Sequence, residues 1–148
     1  MMNKILIFII LNSFFTNTLV ADDLEYNLTD AIKRNDFEQA TELIKKGANV
    51  NKKVEPFNQA PIIIASLRGT EFVRLLVDNG ANINSRDQDN TTALINACLY
   101  GNTEAAIFLI SKGADIHAKN NDDMTVLEAA KISGNKYLIS YVKSKGAK

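Results

Sequence analysis

An all-α solenoid of stacked helix-turn-helix units joined by short β-hairpin turns is the fold class this sequence predicts, and three observations predict it. A turn signal recurs on a fixed ruler: "GANVN" at residue 47, "GANIN" at 80, "GADIH" at 113 and a truncated "GAK" at 146, each 33 residues after the last. Apolar columns repeat on the same ruler in pairs, at the i, i+3 spacing of one helix face. The seven glycines fall into two repeat columns, one of Gly47, Gly80, Gly113 and Gly146, the other of Gly69, Gly101 and Gly134. A constant internal period of about 20 to 50 residues marks a stack of like units and decides the fold before local propensity does.

The chain opens differently from the rest. "MMNK" precedes the apolar run Ile5 to Leu11, then "NSFFTNT" and "LVADD". A short basic start, an apolar stretch of about 7 to 15 residues and a small residue before polar sequence describe a secretory leader. Cleavage is expected after Ala21, which makes 1–21 a signal peptide and 22–148 the mature domain. A retained anchor is the rival, but Asn12, Ser13, Thr16, Asn17 and Thr18 interrupt a segment that needs about 20 apolar residues to span. No stable membrane insertion is expected after cleavage.

Each unit then has two short amphipathic helices. In the first, about residues 26–54, Leu28 and Ala31 form the apolar pair of the first helix, and Ala40 and Leu43 that of the second. This unit has no hairpin before it and begins at "YNLTDAIKRND", with Thr29, Asp30, Lys33 and Arg34 expected to face solvent. The second, about 55–87, repeats the pairs as Ile62 with Ala65 and Val73 with Leu76. The third, about 88–120, has Leu94 with Ala97 and Ala106 with Leu109; the fourth, about 121–148, has Leu127 with Ala130 and Ile139 with Val142. Thr41, Arg74, Ile107 and Ser140 form an outward column on the second helices. Between the helices stand Asn35, Gly69, Gly101 and Gly134, where the reversal calls for a left-handed residue and Asn is the natural substitute for Gly.

Unit two varies in its loops without breaking the ruler. Gly69 to Gly80 is 11 residues where Gly101 to Gly113 is 12, while one residue is added in the preceding turn "KKVEPFNQ". The changes cancel because the helices must stay in stacking register. In unit four, Thr125 and Glu128 have the S/T-x-x-E spacing of a reciprocal capping box.

Composition narrows the function. Lys plus Arg equals Asp plus Glu at 17 each, and losing Lys4 with the leader changes this to 16 minus 17, or −1. No global field would draw such a chain to nucleic acid or an anionic membrane, so neither is an expected partner. Cys98 is the only cysteine, which rules out an intramolecular disulfide and leaves apolar burial to hold the domain. Asn, Lys and Ile make 46 of 148 residues, a bias of AT-rich bacterial coding, so export implies a periplasmic or secreted protein.

The units resemble ankyrin repeats, most closely in "TALINACLYGNTEAAIFLISKGADIH", Thr92 to His117. The resemblance covers about residues 26–148. Ile63, Ile95 and Glu128 stand where the family commonly has His, and Ala60 where it has Thr, so side-chain capping of the first helices is expected to vary.

Catalytic chemistry is not expected. His117, the only histidine, occupies the turn position of Asn51 and Asn84 and has no His or Cys at ligand spacing, so no metal site is inferred. Cys98 lies at a small-residue position beside Ala97 with no base in view. Asp122 and Asp123 are followed by no calcium-loop pattern, and the isolated glycines form no phosphate-cradling run. No cofactor is expected, and the sequons at Asn27 and Asn90 are read as coincidence.

The resemblance implies a concave binding face of hairpin tips and exposed ends of the inner helices. Carried over by position, the hairpin candidates are Phe57, Asn58, Arg86, Gln88, Asp89, Lys119, Asn121, Asp122 and Met124. The inner-helix candidates are Leu67, Arg68, Leu99, Tyr100, Ile132 and Ser133, with packing between repeats as the alternative for Leu67, Leu99 and Ile132. The expected function is that of an exported, monomeric, non-catalytic module that binds another protein, accessory to a periplasmic or oxidative-stress enzyme. The alternative is an immunity protein that occludes a toxin in the same compartment. Mass spectrometry of the exported protein is expected to find Asp22 at its N-terminus; an intact Met1 to Ala21 segment would overturn the leader assignment.

Overall fold

The computed structural model describes residues 24–148, so the leader expected over 1–21 lies outside the described residues. Helix α1 (24–33) is followed by α2 (Phe37–Lys45), α3 (Pro61–Ala65), α4 (Thr70–Asp78), α5 (Ala93–Leu99), α6 (Thr103–Ser111), α7 (Val126–Ile132) and α8 (Lys136–Ser144). Single antiparallel bridges close the three intervening hairpins, Val54 with Gln59, Arg86 with Thr92 and Lys119 with Thr125. Within units α3 packs on α4, α5 on α6 and α7 on α8; between units α3 packs on α5, α5 on α7 and α4 on α6. The odd-numbered helices form one layer and the even-numbered ones the other.

Helices this short do not persist alone, since isolated helices below about 12 to 15 residues are marginal in water. Burial holds them. Leu28, Ile62, Leu94, Ala31, Ala65, Ala97 and Ala130 are at most 1% exposed, and Leu76, Leu109, Val142, Val73 and Ala106 are fully buried. The small Ala columns allow neighbouring inner helices to approach closely, and Phe72, the largest fully buried side chain, meets Phe37 of the preceding unit edge-on at 5.4 Å between ring centres.

The helix starts follow local chemistry. Asp36, Thr92, Thr125 and Asn135 accept side-chain hydrogen bonds from the backbone N–H groups of Gln39, Ile95, Glu128 and Leu138. The expected capping box is present: the Thr125 N–H donates to Glu128 Oε2 at 2.8 Å and the Glu128 N–H to Thr125 Oγ1 at 3.2 Å. The Thr125 backbone N–H foremost, and then the Thr125 side chain, hold the Glu128 carboxyl below its ordinary value by hydrogen bonding to it. Ala60 offers no side-chain cap to α3, and Pro61 at the first turn, with φ already set for a helix, partly replaces it.

Two expectations are corrected. Gly69 does not take a left-handed conformation: its φ of 165° is extended backbone, whereas Asn35, Gly101 and Gly134 have φ of 61°, 70° and 70°. Gly69 is the N-cap of α4 and falls on the ruler of the other outer-helix caps, Asp36, Asn102 and Asn135. The residue missing from unit two is therefore the left-handed one. Thr29 does not face solvent but is 1% exposed, in the column of the buried Ile63 and Ile95. Its hydroxyl donates to the Tyr26 carbonyl at 2.9 Å, which removes the cost of burying it.

Gly113 has φ of 89° with open space where a Cβ would stand, so only backbone strain opposes a side chain there. Gly113→Val is expected to lose about 1–3 kcal/mol, Lys112→Val and Gly69→Ala less than about 1 kcal/mol each; denaturation midpoints compare the three. Cys98 is fully buried, and burial pushes its thiol up to about 12. A thiol-specific reagent at neutral pH is expected to label Cys98 in denaturant and not in the folded chain.

Candidate functional site

The hairpins are fastened to one another by a ladder running on the same ruler. Asn51 Nδ2 donates to the Gly80 carbonyl at 3.0 Å while Asn51 Oδ1 accepts from the Asn82 N–H at 2.7 Å. Asn84 repeats the second bond, accepting from the Asp115 N–H at 2.8 Å. In the first unit Glu25, from α1, takes the accepting role toward the Asn49 N–H at 3.0 Å. A cationic rung lies beside it: Lys53 Nζ donates to the Arg86 carbonyl at 2.7 Å, and Arg86 Nη1 to the Lys119 carbonyl at 2.9 Å. At the tips the Gln88 N–H donates to the Phe57 carbonyl at 3.2 Å, and the Asn121 N–H to the Asp89 carbonyl at 2.9 Å.

This ladder sorts the candidate residues by what their side chains already do. Arg86 is held by the Lys119 carbonyl, by the Asn90 carbonyl at 3.1 Å and by Asp115 at 3.9 Å. Asn121 accepts from Asn90 Nδ2 at 2.7 Å and donates to the Gln88 carbonyl at 3.3 Å. Asn58 has φ of 50° and forms the first tip, and Lys119 faces Asp123 at 3.8 Å in an exposed pair. Gln88, Asp89 and Asp122 sit exposed on the same run of tips. Phe57 stands there 54% exposed, an apolar ring with no core to enter.

On the inner helices the alternatives for Leu67, Leu99 and Ile132 divide. Leu99 is half-buried against the core, whereas Leu67 and Ile132 are exposed, Ile132 to 63%. In the next column Arg68 is exposed, Tyr100 is 66% exposed, and Ser133 is half-buried with its hydroxyl donating to the Ala130 carbonyl at 2.7 Å. Tyr100 is the C-cap of α5, so the end of that helix aims a large ring into solvent in the third unit.

Asp122, Met124 and Ile132 come together with Asp123, Glu128 and Lys131 around a cleft of about 480 Å³. The cleft lies on the side of α7 turned away from α5. Glu128 and Lys131 share their columns with Ile63 and Ile95, and with Ser66 and Cys98, all of which are fully buried. On α7 the same columns are open, and the residues there are charged. Glu128 and Lys131 were not among the sequence candidates, although polar residues in two otherwise buried columns were a legible signal. A second cleft, of about 410 Å³, lies on the outer layer and is lined by Arg74, Glu104, Ile107, Phe108, Ser111 and Lys112. Arg74, expected only to point outward, is exposed but lays its guanidinium over the Phe108 ring of the next unit, 4.3 Å from its centre.

Cys98 is buried with a raised pKa and so remains a thiol at neutral pH. Among the described residues no group of three or more His, Cys, Asp or Glu side chains is placed to hold a metal ion. What the arrangement can do is present stacked loops and exposed aromatic and aliphatic side chains on a stiff frame, which suits recognition of a surface.

Comparison with known proteins agrees with the geometry. No curated protein shows a significant match to the chain. The model of the family described as ankyrin repeats (3 copies) matches residues 28–120, which takes in nearly all of the first three helix pairs, the first two hairpins, and Arg68 and Tyr100. The stacked helix pairs, the hairpins closed between them and this match together show that the chain belongs to the ankyrin-repeat family.

Proposed function

We propose that the chain is an exported, non-catalytic binding module, with residues 121–148 as a fourth repeat, and that it holds another protein against the hairpin tips and the C-terminal ends of its inner helices. Ankyrin repeats are in general protein-binding modules, and the exposure of Tyr100, at 66%, is the observation that supports binding on this face. Burying an aromatic ring stabilises a complex through its large apolar area, and Tyr adds a hydroxyl with few rotamers to freeze. Leu67, Phe57 and Ile132 supply further exposed apolar area along the inner layer and tips. Arg68 shares the Tyr100 column and adds a cation.

The leader expected over residues 1–21 and the Asn, Lys and Ile bias support a site of action in the periplasm or outside the cell. The role favoured there is that of an accessory to an enzyme of the compartment, the oxidative-stress enzymes being the class implied by resemblance to exported bacterial ankyrin proteins. The mixed charge of the face, with Arg68 as well as Asp89 and Asp122 exposed, supports a partner recognised by shape more than by a single sign of charge.

Mature protein is expected to capture its partner from its own periplasm. Tyr100→Ala and Arg68→Ala should each weaken that complex by about 1–3 kcal/mol while leaving thermal stability within about 1 kcal/mol. Arg74 is unsuitable as the control because of its stacking on Phe108; Lys45→Ala, on the exposed surface of α2, serves instead. Calorimetric titration that finds Lys45→Ala weakened and Tyr100→Ala unchanged would move the partner to the outer layer.

A further inference from the structure

The charge of the chain balances as a whole but not along its length. Residues 129–148 contain five lysines and neither Asp nor Glu, and Lys131, Lys136, Lys143 and Lys145 are all exposed. Helix α8 also departs from the other outer helices at its second residue. There α2, α4 and α6 carry Glu38, Glu71 and Glu104, and a carboxylate at that place interacts favourably with the positive end of the helix dipole. Helix α8 carries Tyr137 instead, and its ring is 63% exposed. The substitution forgoes a local stabilisation and leaves an apolar surface in water.

Tyr137 does not stand alone. Tyr141, one turn on, stacks with it at 6.4 Å between ring centres and 24° between planes. Lys145, a further turn on, places its ammonium 5.4 Å from the Tyr141 ring centre. The spacing of four residues puts the three side chains in one stripe along the helix. Their mutual contacts order them in advance, which lowers the entropy lost when something binds.

We propose that this basic, aromatic stripe of α8 is a second docking surface, separate from the inner-layer face, and that its occupant is an acidic segment of a protein. Lys145 supplies the complementary charge within the stripe, and tyrosine is enriched where proteins meet. A lipid surface fits less well because the apolar side of α8, Leu138 and Val142, is fully buried in the stack and has nothing to lay into acyl chains. Nucleic acid fits less well because the stripe has no arginine, the side chain whose planar fork matches phosphate.

The test uses the full chain with poly-L-glutamate as the probe, at physiological ionic strength, with binding followed by calorimetry. Tyr137→Glu, which restores the residue carried by the other outer helices, is expected to weaken binding about tenfold or more, and Lys145→Ala to weaken it measurably. Tyr137→Phe is expected to stay within about twofold of the parent, as is Lys45→Ala, which removes the same unit of charge from the first helix pair. An unchanged thermal midpoint shows that each variant is folded. An equal loss in Lys45→Ala would reduce the effect to bulk charge and overturn the proposal, as would undiminished binding by Tyr137→Glu. Tighter binding to an oligothymidylate or to phosphatidylglycerol vesicles than to poly-L-glutamate would also overturn it, in favour of those surfaces. None of these outcomes depends on export or on the Tyr100 face.

Discussion

A pair of helices of five to ten residues has an apolar stripe on each helix and no means of burying both sides of the pair against itself. The rest of this structure depends on that constraint. Each unit must hand one apolar surface to the unit before and one to the unit after, and a solenoid is the arrangement in which every interior unit can do so. The 33-residue ruler is the trace of this requirement. Loops can gain a residue in "KKVEPFNQ" and lose one before Gly69, but the helices cannot change step without exposing Val73 or Leu76.

Burial alone leaves the hairpins unsupported, because they project from the helical layers and contain many backbone groups with no helix to join. Asn51 and Asn84 settle these by bonding across to the next unit, and Lys53 and Arg86 bond from one hairpin to a carbonyl of the next. Within a tip, Asp87 accepts from the N–H groups of Asp89 and Thr91, and Asn120 accepts from those of Asp122 and Met124. A loop wired in this way has little freedom to lose on binding. Side chains that are outside the wiring, Phe57 and Asp89 among them, are therefore carried on a prepared surface.

The open end of the fourth helix pair shows the converse of stacking. Columns that hold Ile63 and Ile95, and Ser66 and Cys98, inside the stack carry Glu128 and Lys131 on α7. A charged residue in an interior column would need a buried partner, whereas on an outer face water solvates it. The same exchange leaves room for the cleft beside Met124 and Ile132. In α8 it goes further, with an exposed Tyr137 in a column otherwise occupied by Glu. Side chains there are exposed, and their charged groups need no buried partner.

What the sequence by itself determined was the period, the helix pairs, the buried columns and the left-handed turns at Gly80, Gly101, Gly113 and Gly134. Those are legible because each rests on neighbours a few residues apart or on a spacing repeated along the chain. The capping box at Thr125 and Glu128 was legible for the same reason. Only the tertiary structure decided the rest. It decided that Gly69 is an extended N-cap, because a loop one residue shorter can omit its left-handed step. It buried Thr29, whose hydroxyl finds a carbonyl within its own helix, and it parted Leu99 from the exposed Leu67 and Ile132. It also committed Arg86 and Asn121 to neighbouring hairpins and set Arg74 over Phe108. The commitments of Arg86, Asn121 and Arg74 depend on what stands across the stack, about one repeat away in sequence. A column states that a residue is at the surface; whether its polar atoms are already occupied is set by the unit that packs beside it.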